Sequence, residues 1–109
     1  MKNINLPDLF YQIINKNVFV LAVFSGKNCK VCQAIDPKLQ KLVDDYFPEV
    51  ILIEIFMEQL PELTAKYSVF TVPVVLFFVE GKESIREVRF IDISALHQKM
   101  DKILRLYRP

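Results

Sequence analysis

Three stretches of the 109-residue chain, Val18 to Phe24, Val50 to Phe56 and Val72 to Val79, are apolar at nearly every position. The first is continuously apolar, β-branched or aromatic, the pattern of a strand covered on both faces as in a parallel sheet, and it is expected at the sheet's centre. The second is a further core strand whose run one charge, Glu54, interrupts. Such strands need helices to cover them, and 52% hydrophobic residues suffice for one core, so the chain is read as one domain over residues 1–109.

The covering helices are legible from periodicity. Leu6, Leu9, Phe10, Ile13 and Ile14 recur at helical spacing after Pro7-Asp8, residues suited to a first helical turn, which predicts a helix from about Pro7 to Lys16. Beyond the turn cluster Ser25-Gly26-Lys27-Asn28, an apolar stripe of Val31, Ile35, Leu39, Leu42, Val43 and Tyr46 predicts a long helix, bent but not ended at Pro37. A short helix, about Leu60 to Lys66, is opened by Pro61-Glu62. Leu96, Met100, Ile103, Leu104 and Tyr107 give one apolar face to a terminal helix over Ser94 to Arg108.

Glu80-Gly81-Lys82 reads as a hairpin turn between the third strand and a more polar fourth, Ser84 to Phe90, so that pair is antiparallel. The expected class is α/β, with a central mixed sheet of about four strands flanked by helices on both faces.

Charge and hydropathy exclude several functions. With 14 Lys plus Arg against 13 Asp plus Glu, no long-range field draws nucleic acid or an anionic membrane. The longest apolar run falls far short of the roughly 20 residues that a membrane-spanning helix requires. Asn and Asp interrupt any apolar run near the N-terminus, which does not read as a secretory signal. A cytoplasmic protein is expected, and there a close Cys pair is more often catalytic, redox-sensing or metal-binding than structural.

Cys29 and Cys32 are the chain's only two cysteines, and random placement would give this spacing about 2 times in 100. On the first turn of a helix the spacing brings the two sulfurs within bonding reach. Free backbone donors and the helix dipole there stabilise a thiolate, the attacking species in disulfide exchange. Cys29, the more N-terminal, is the expected nucleophile; Cys32, one turn deeper, resolves the mixed disulfide. Lys27 and Lys30 add positive charge, screened by exposure. The competing readings are two ordinary buried thiols, or zinc, for which two Cys and the distant His97 offer too few ligands. His97 is read as a surface or partly packed helix residue. No phosphate-binding Gly-rich loop follows a strand, so no cofactor is expected.

The order of elements, the Cys-x-x-Cys after the first long strand, and Pro37 five residues beyond Cys32 together resemble the thioredoxin family, over nearly the whole chain. The segment Tyr67 to Phe78, with Gly81-Lys82 after it, is similar to that family's cis-proline loop and hairpin, which implies that Pro73 is the cis-proline facing the cysteines. Only an X-Pro bond adopts cis cheaply, and the bend frees the Val72 backbone to pair with an extended substrate.

The chain also departs from the family. Asn28 stands where a Trp precedes the first Cys, Lys30-Val31 replaces Gly-Pro, and the groove glycines give way to bulkier residues, with Thr71 before Val72 and Arg89 in the fourth strand. The family's buried Asp falls at Val23 and its partner Lys at Glu54, so Glu54, its pKa raised by burial, is the candidate base, against a structural role at a strand edge. The family's first strand is cut back to at most Asn3 to Leu6, and the fold is expected to start at its first helix, with a smaller sheet.

The leading expectation is a monomeric thiol–disulfide oxidoreductase acting on protein or small-molecule disulfides and recycled by a reductase or a low-molecular-weight thiol. Cys29, Cys32, Pro73 and Glu54 carry the chemistry; Lys30, Val31, Phe70, Thr71, Val72 and Arg89 contact substrate. The alternatives are a non-catalytic binding module, whose apolar and basic rim holds a partner, and a redox sensor switched by the Cys29–Cys32 disulfide.

Overall fold

All seven residues of the strand Phe19–Ser25 (β2) are buried, because both faces of the sheet are covered there. In the computed structural model, which describes residues 1–109, β2 lies at the centre of five strands. Lys2–Asn3 (β1) precedes the helix Pro7–Lys16 (α1), and after β2 come the helix Lys30–Tyr46 (α2), the strand Ile51–Phe56 (β3) and the helix Pro61–Lys66 (α3). The hairpin Val74–Val79 (β4) and Lys82–Val88 (β5) and the helix Ile93–Arg105 (α4) complete the order. The strands lie β1-β3-β2-β4-β5, with β1, β3 and β2 parallel, and β4 and β5 each antiparallel to its neighbour.

Side chains alternate across the sheet, so the apolar runs feed two cores. Leu21, Val23, Leu52 and Phe77 pack with Leu39 of α2 and Met100 of α4 on one face. Val20, Ala22, Ile53 and Leu76 pack with Phe10 of α1 and Leu63 of α3 on the other. Where both faces are buried, neither set of positions can be polar, and the alternation disappears from the sequence.

The sheet has five strands where about four are expected, and it starts before α1. Lys2 and Asn3 run in register with Ile53 and Glu54, and the Ile4 N–H donates to the Glu54 carbonyl at 2.8 Å. Ile4, fully buried, anchors this two-residue strand. β3 is therefore interior, so the strand-edge role weighed for Glu54 does not apply. β4 begins at Val74, two residues later than expected, since Pro73 has no N–H for a sheet ladder. β5 ends at Val88, and Phe90 falls in the connection to α4. Pro37 deprives the Gln33 carbonyl of its helical donor without ending α2.

Two residues with positive φ, Glu80 at 51° and Gly81 at 80°, turn the β4–β5 hairpin. Both central positions of so tight a loop adopt the left-handed region, which glycine enters most easily.

Candidate functional site

Where β2 gives way to α2 the backbone makes a tight turn. The Cys29 N–H donates to the Gly26 carbonyl at 3.3 Å, and the Lys27 N–H donates to Glu58 Oε1 at 2.7 Å. Cys29 then caps α2: its backbone is extended (φ −99°, ψ 101°) and its sulfur accepts the Cys32 N–H at 3.2 Å. The sulfur thus takes the position that a Ser or Asp oxygen fills in other helix caps, where free N–H groups and the dipole favour negative charge. Cys29 is half-buried, Cys32 is fully buried, and the two form a disulfide with Cα atoms 5.3 Å apart. Lys30 and Val31, between them, are exposed.

The Val72–Pro73 bond is cis, and its loop faces this turn. A methyl built on Gly26 would stand 3.5 Å from Val72 Cγ2 and 3.8 Å from Cys29 Cβ, so Val72 and Cys29 flank Gly26. Pro73 is buried, Thr71 and Val72 are half-buried, and Phe70 is 78% exposed. Arg86 of β5 holds the start of the loop by donating to the carbonyls of Tyr67 and Ser68, and Glu83 braces its guanidinium at 2.8 Å. Arg89 closes the loop's far end, its N–H donating to the Pro73 carbonyl at 2.8 Å.

Val31 and Arg89 meet at a groove of about 310 Å³ between the start of α2 and the β5–α4 connection, lined also by Lys38 and Phe90. Phe90 is 91% exposed, and sequence reasoning missed it because its apolar character suits a strand end equally well. Glu58, which pins the Lys27 amide, was also missed. Its signal is position: it follows the end of β3, and adjacent parallel strands bring their C-terminal ends together.

Glu54 lies behind this open side of the site. It is in register with Val23 of β2 and Asn3 of β1, on the sheet face that α2 covers. Burial, and then the neighbouring Asp36 carboxyl, push its pKa up to about 7, against a smaller opposite pull from the Met1 ammonium. Asp36 Oδ1 is buried without a hydrogen-bond donor. Sequence reasoning passed over Asp36, although it is the acid one turn along the helix from Cys32. The His97 ring packs against Tyr46 and Phe47, with ring centroids 4.5 and 5.1 Å away.

The thioredoxin family model matches residues 3–102. A thioredoxin-like protein of Bacillus subtilis, YdfQ, is 39% identical over 96 residues, covering 88% of this chain and 85% of the relative. Among solved structures, the thioredoxin of Plasmodium falciparum superposes with a TM-score of 0.84 at 22% identity, over 94% of this chain and 98% of that one. The thioredoxin of Fasciola hepatica gives a TM-score of 0.83 at 26% identity, over 94% and 98%.

Proposed function

The chain belongs to the thioredoxin family, and from that premise we propose how it works as a thiol–disulfide oxidoreductase: Cys29 attacks, Cys32 resolves, and the Val72–Pro73 backbone presents the substrate. The Cys29 thiolate attacks one sulfur of a disulfide R–S–S–R′, forming Cys29–S–S–R and expelling R′–S⁻, which takes a proton from water. Cys32 then gives up its thiol proton and attacks the Cys29 sulfur, which expels R–S⁻ and closes the Cys29–Cys32 disulfide. Two electrons pass to the substrate, and two further electrons from a reductase or a low-molecular-weight thiol restore the dithiol.

The observation that carries this reading is the asymmetry of the pair. One sulfur caps α2 on the accessible side, and the other is fully buried one turn deeper. An incoming disulfide meets Cys29, and Cys32 engages only a mixed disulfide already held on Cys29.

Extended protein segments, or a small redox partner, are the expected substrates, because an unpaired backbone at Val72 suits strand-like pairing. Lys30, Val31, Phe70, Thr71 and Arg89 form the rim that selects among them. Glu54 is the candidate proton acceptor on the buried side. The reaction belongs in the cytoplasm, where thiols are kept reduced, and one copy of the chain suffices for it. No helix is long and apolar enough to cross a membrane.

Dithiothreitol-driven insulin reduction, run beside a glutathione titration of the Cys29–Cys32 couple, tests the reading. Wild type is expected to turn over and Cys29→Ser to lose all turnover, while Cys32→Ser traps a mixed disulfide. Turnover that survives Cys29→Ser, or no trapped species, overturns the assignment. Partner capture that persists with both cysteines replaced by Ser would point instead to a binding module.

A further inference from the structure

The groove that opens between Val31 and Arg89 does not end there. It runs on into a second hollow, of about 550 Å³, between α2 and the start of α4, and Lys38, Ile91, Asp92 and Ile93 line both. Tyr46 and His97 stand at the far end. From Val31 to Tyr46, α2 covers roughly 22 Å at 1.5 Å per residue, a distance that an extended chain crosses in about seven residues. A small disulfide fills only the near end of such a channel.

The near end keeps an aromatic ring in water. Arg89 sits in the left-handed region (φ 66°), and around it the Phe90 N–H donates to the Val88 carbonyl at 2.8 Å. Both flanks of this turn are tied: the Arg89 N–H donates to the Pro73 carbonyl at 2.8 Å, and the Asp92 N–H donates to Glu87 Oε1 at 3.1 Å. Phe90 is thus held 91% exposed by a braced and strained turn, not by a slack loop. A large apolar side chain fixed in that position gains free energy when a partner covers it.

The groove is also basic. Lys38 and Arg89 line it without a carboxylate partner, and Lys30, next to Cys29, has none. Lys41 is tied only to Asp45, at 3.4 Å on the surface. The one acid in the lining, Asp92, already accepts the Ala95 N–H at 3.0 Å as the cap of α4. Glu58 lies on the other flank of the cysteine turn, on the Lys27 amide. The chain's net charge is only +1, so this bias is local and acts on a partner at contact, not at a distance.

We propose that the groove binds an extended, acidic segment of the client protein beside the cysteine that Cys29 attacks, with Lys38 and Arg89 meeting its carboxylates and Phe90 covering an apolar side chain. The inference rests on the oxidoreductase reading and names the substrate class within it. The groove adjoins the exchange site directly: the Arg89 N–H holds the Pro73 carbonyl, and Val31 follows Cys29 on the first turn of α2, so a segment that passes Val72 continues into it.

The test uses two synthetic peptides of about seven residues, each with one cysteine in a mixed disulfide with mercaptoethanol, carrying Glu or Lys at the same positions beside a Leu. Short versions of both are trimmed to the residues next to the cysteine. Reduction by the dithiol protein is followed by quenched-flow chromatography. Wild type is expected to reduce the long acidic peptide about fivefold faster than the long basic one near 0.1 M salt, the effect of two exposed ion pairs, and to lose the preference at about 1 M salt. Lys38→Glu together with Arg89→Glu should invert the order. Lys38→Glu alone, which leaves the strained turn intact, should cut the acidic advantage about twofold. Phe90→Ser should slow both long peptides more than the short ones. Equal rates for the long acidic and basic peptides, with Cys29 required for both, overturn the acidic groove and leave the oxidoreductase reading standing. An acidic preference that is the same in short and long peptides, and insensitive to Phe90→Ser and to the charge reversals, places the selection elsewhere and overturns it too. If no peptide reacts in a Cys29-dependent manner, both readings fall.

Discussion

Arg89 holds φ at 66°, in the left-handed region where a side chain costs about 1–2 kcal/mol relative to glycine, while its N–H ties down the Pro73 carbonyl. Arg89→Gly should relieve that strain, partly offset by a freer unfolded chain, for a net gain of about 0.5 kcal/mol in urea unfolding. Gly81 should respond in the opposite sense: its φ is 80°, and an added methyl would come within 3.3 Å of Asn15 Oδ1. Gly81→Ala is therefore expected to cost about 1–2 kcal/mol in the same assay. For Glu54 the folded protein holds a proton up to about pH 7 that the unfolded chain releases near 4.5. Its contribution is fully present below the lower value and is lost as pH rises through the upper one. Between those values thermal stability should fall with pH more steeply in wild type than in Glu54→Gln. Equal slopes would mean that Glu54 titrates normally. Glu49 and Glu83, held low by Arg108 and Arg86, contribute in the opposite sense and at lower pH.

At the level of elements, the end of α2 that carries the cysteines is built from local chemistry, whereas the loop opposite it is held by a distant side chain. Arg86 reaches from β5 to the Tyr67 and Ser68 carbonyls, and Ser68 itself has φ of 55°. Arg86→Met should speed amide exchange at Ser68 and Val69 several-fold and leave the β2 amides unchanged, because the sheet ladder does not involve this contact. Unchanged exchange at both loop amides would show that the loop holds itself. At α4, Asp92 Oδ1 accepts the Ala95 N–H at 3.0 Å, so Asp92→Ala should cost about 1 kcal/mol. The extent of α1 followed the sequence closely, Pro7 and Lys16 bounding it as periodicity and the N-terminal proline predict, whereas α4 ends at Arg105, short of the expected Arg108. Strand ends did not follow it, since Val72 and Phe90 are as apolar as the strand interiors beside them, and only pairing partners decide where a ladder stops.

For the molecule as a whole, β2 contributes side chains to both cores, so the two layers are expected to unfold together. Phe10 and Leu96 are each fully buried, on opposite sides of the sheet. Phe10→Ala should cost about 3–5 kcal/mol and Leu96→Ala about 2–5 kcal/mol, each with the denaturant slope of wild type. A reduced slope in either variant would show that one helical layer detaches alone. The arrangement also accounts for the site's position: β2 and β3, parallel and adjacent, bring the turn that bears the cysteines beside Glu58, and the loop leading into β4 sets Val72 across from it.

By itself the sequence determined the identity and order of the main helices and strands, the position of Cys29 and Cys32 at a strand-to-helix junction, and the helix end that favours a thiolate. These follow from interactions within a few residues, namely apolar period, turn chemistry and capping, which a linear reading contains. Tertiary structure alone decided the pairing of β1 with β3, the hold of Glu58 on the Lys27 amide 31 positions away, and the approach of Val72 to Cys29. It also decided the place of Glu54, in register with Val23 and Asn3 on the sheet face that α2 covers. The sequence marked Glu54 as the one acid in an apolar strand, but not what would surround it. The burial of Glu54 depends on the sheet's register and on the face that α2 lays over it, and neither is set until distant parts of the chain pack.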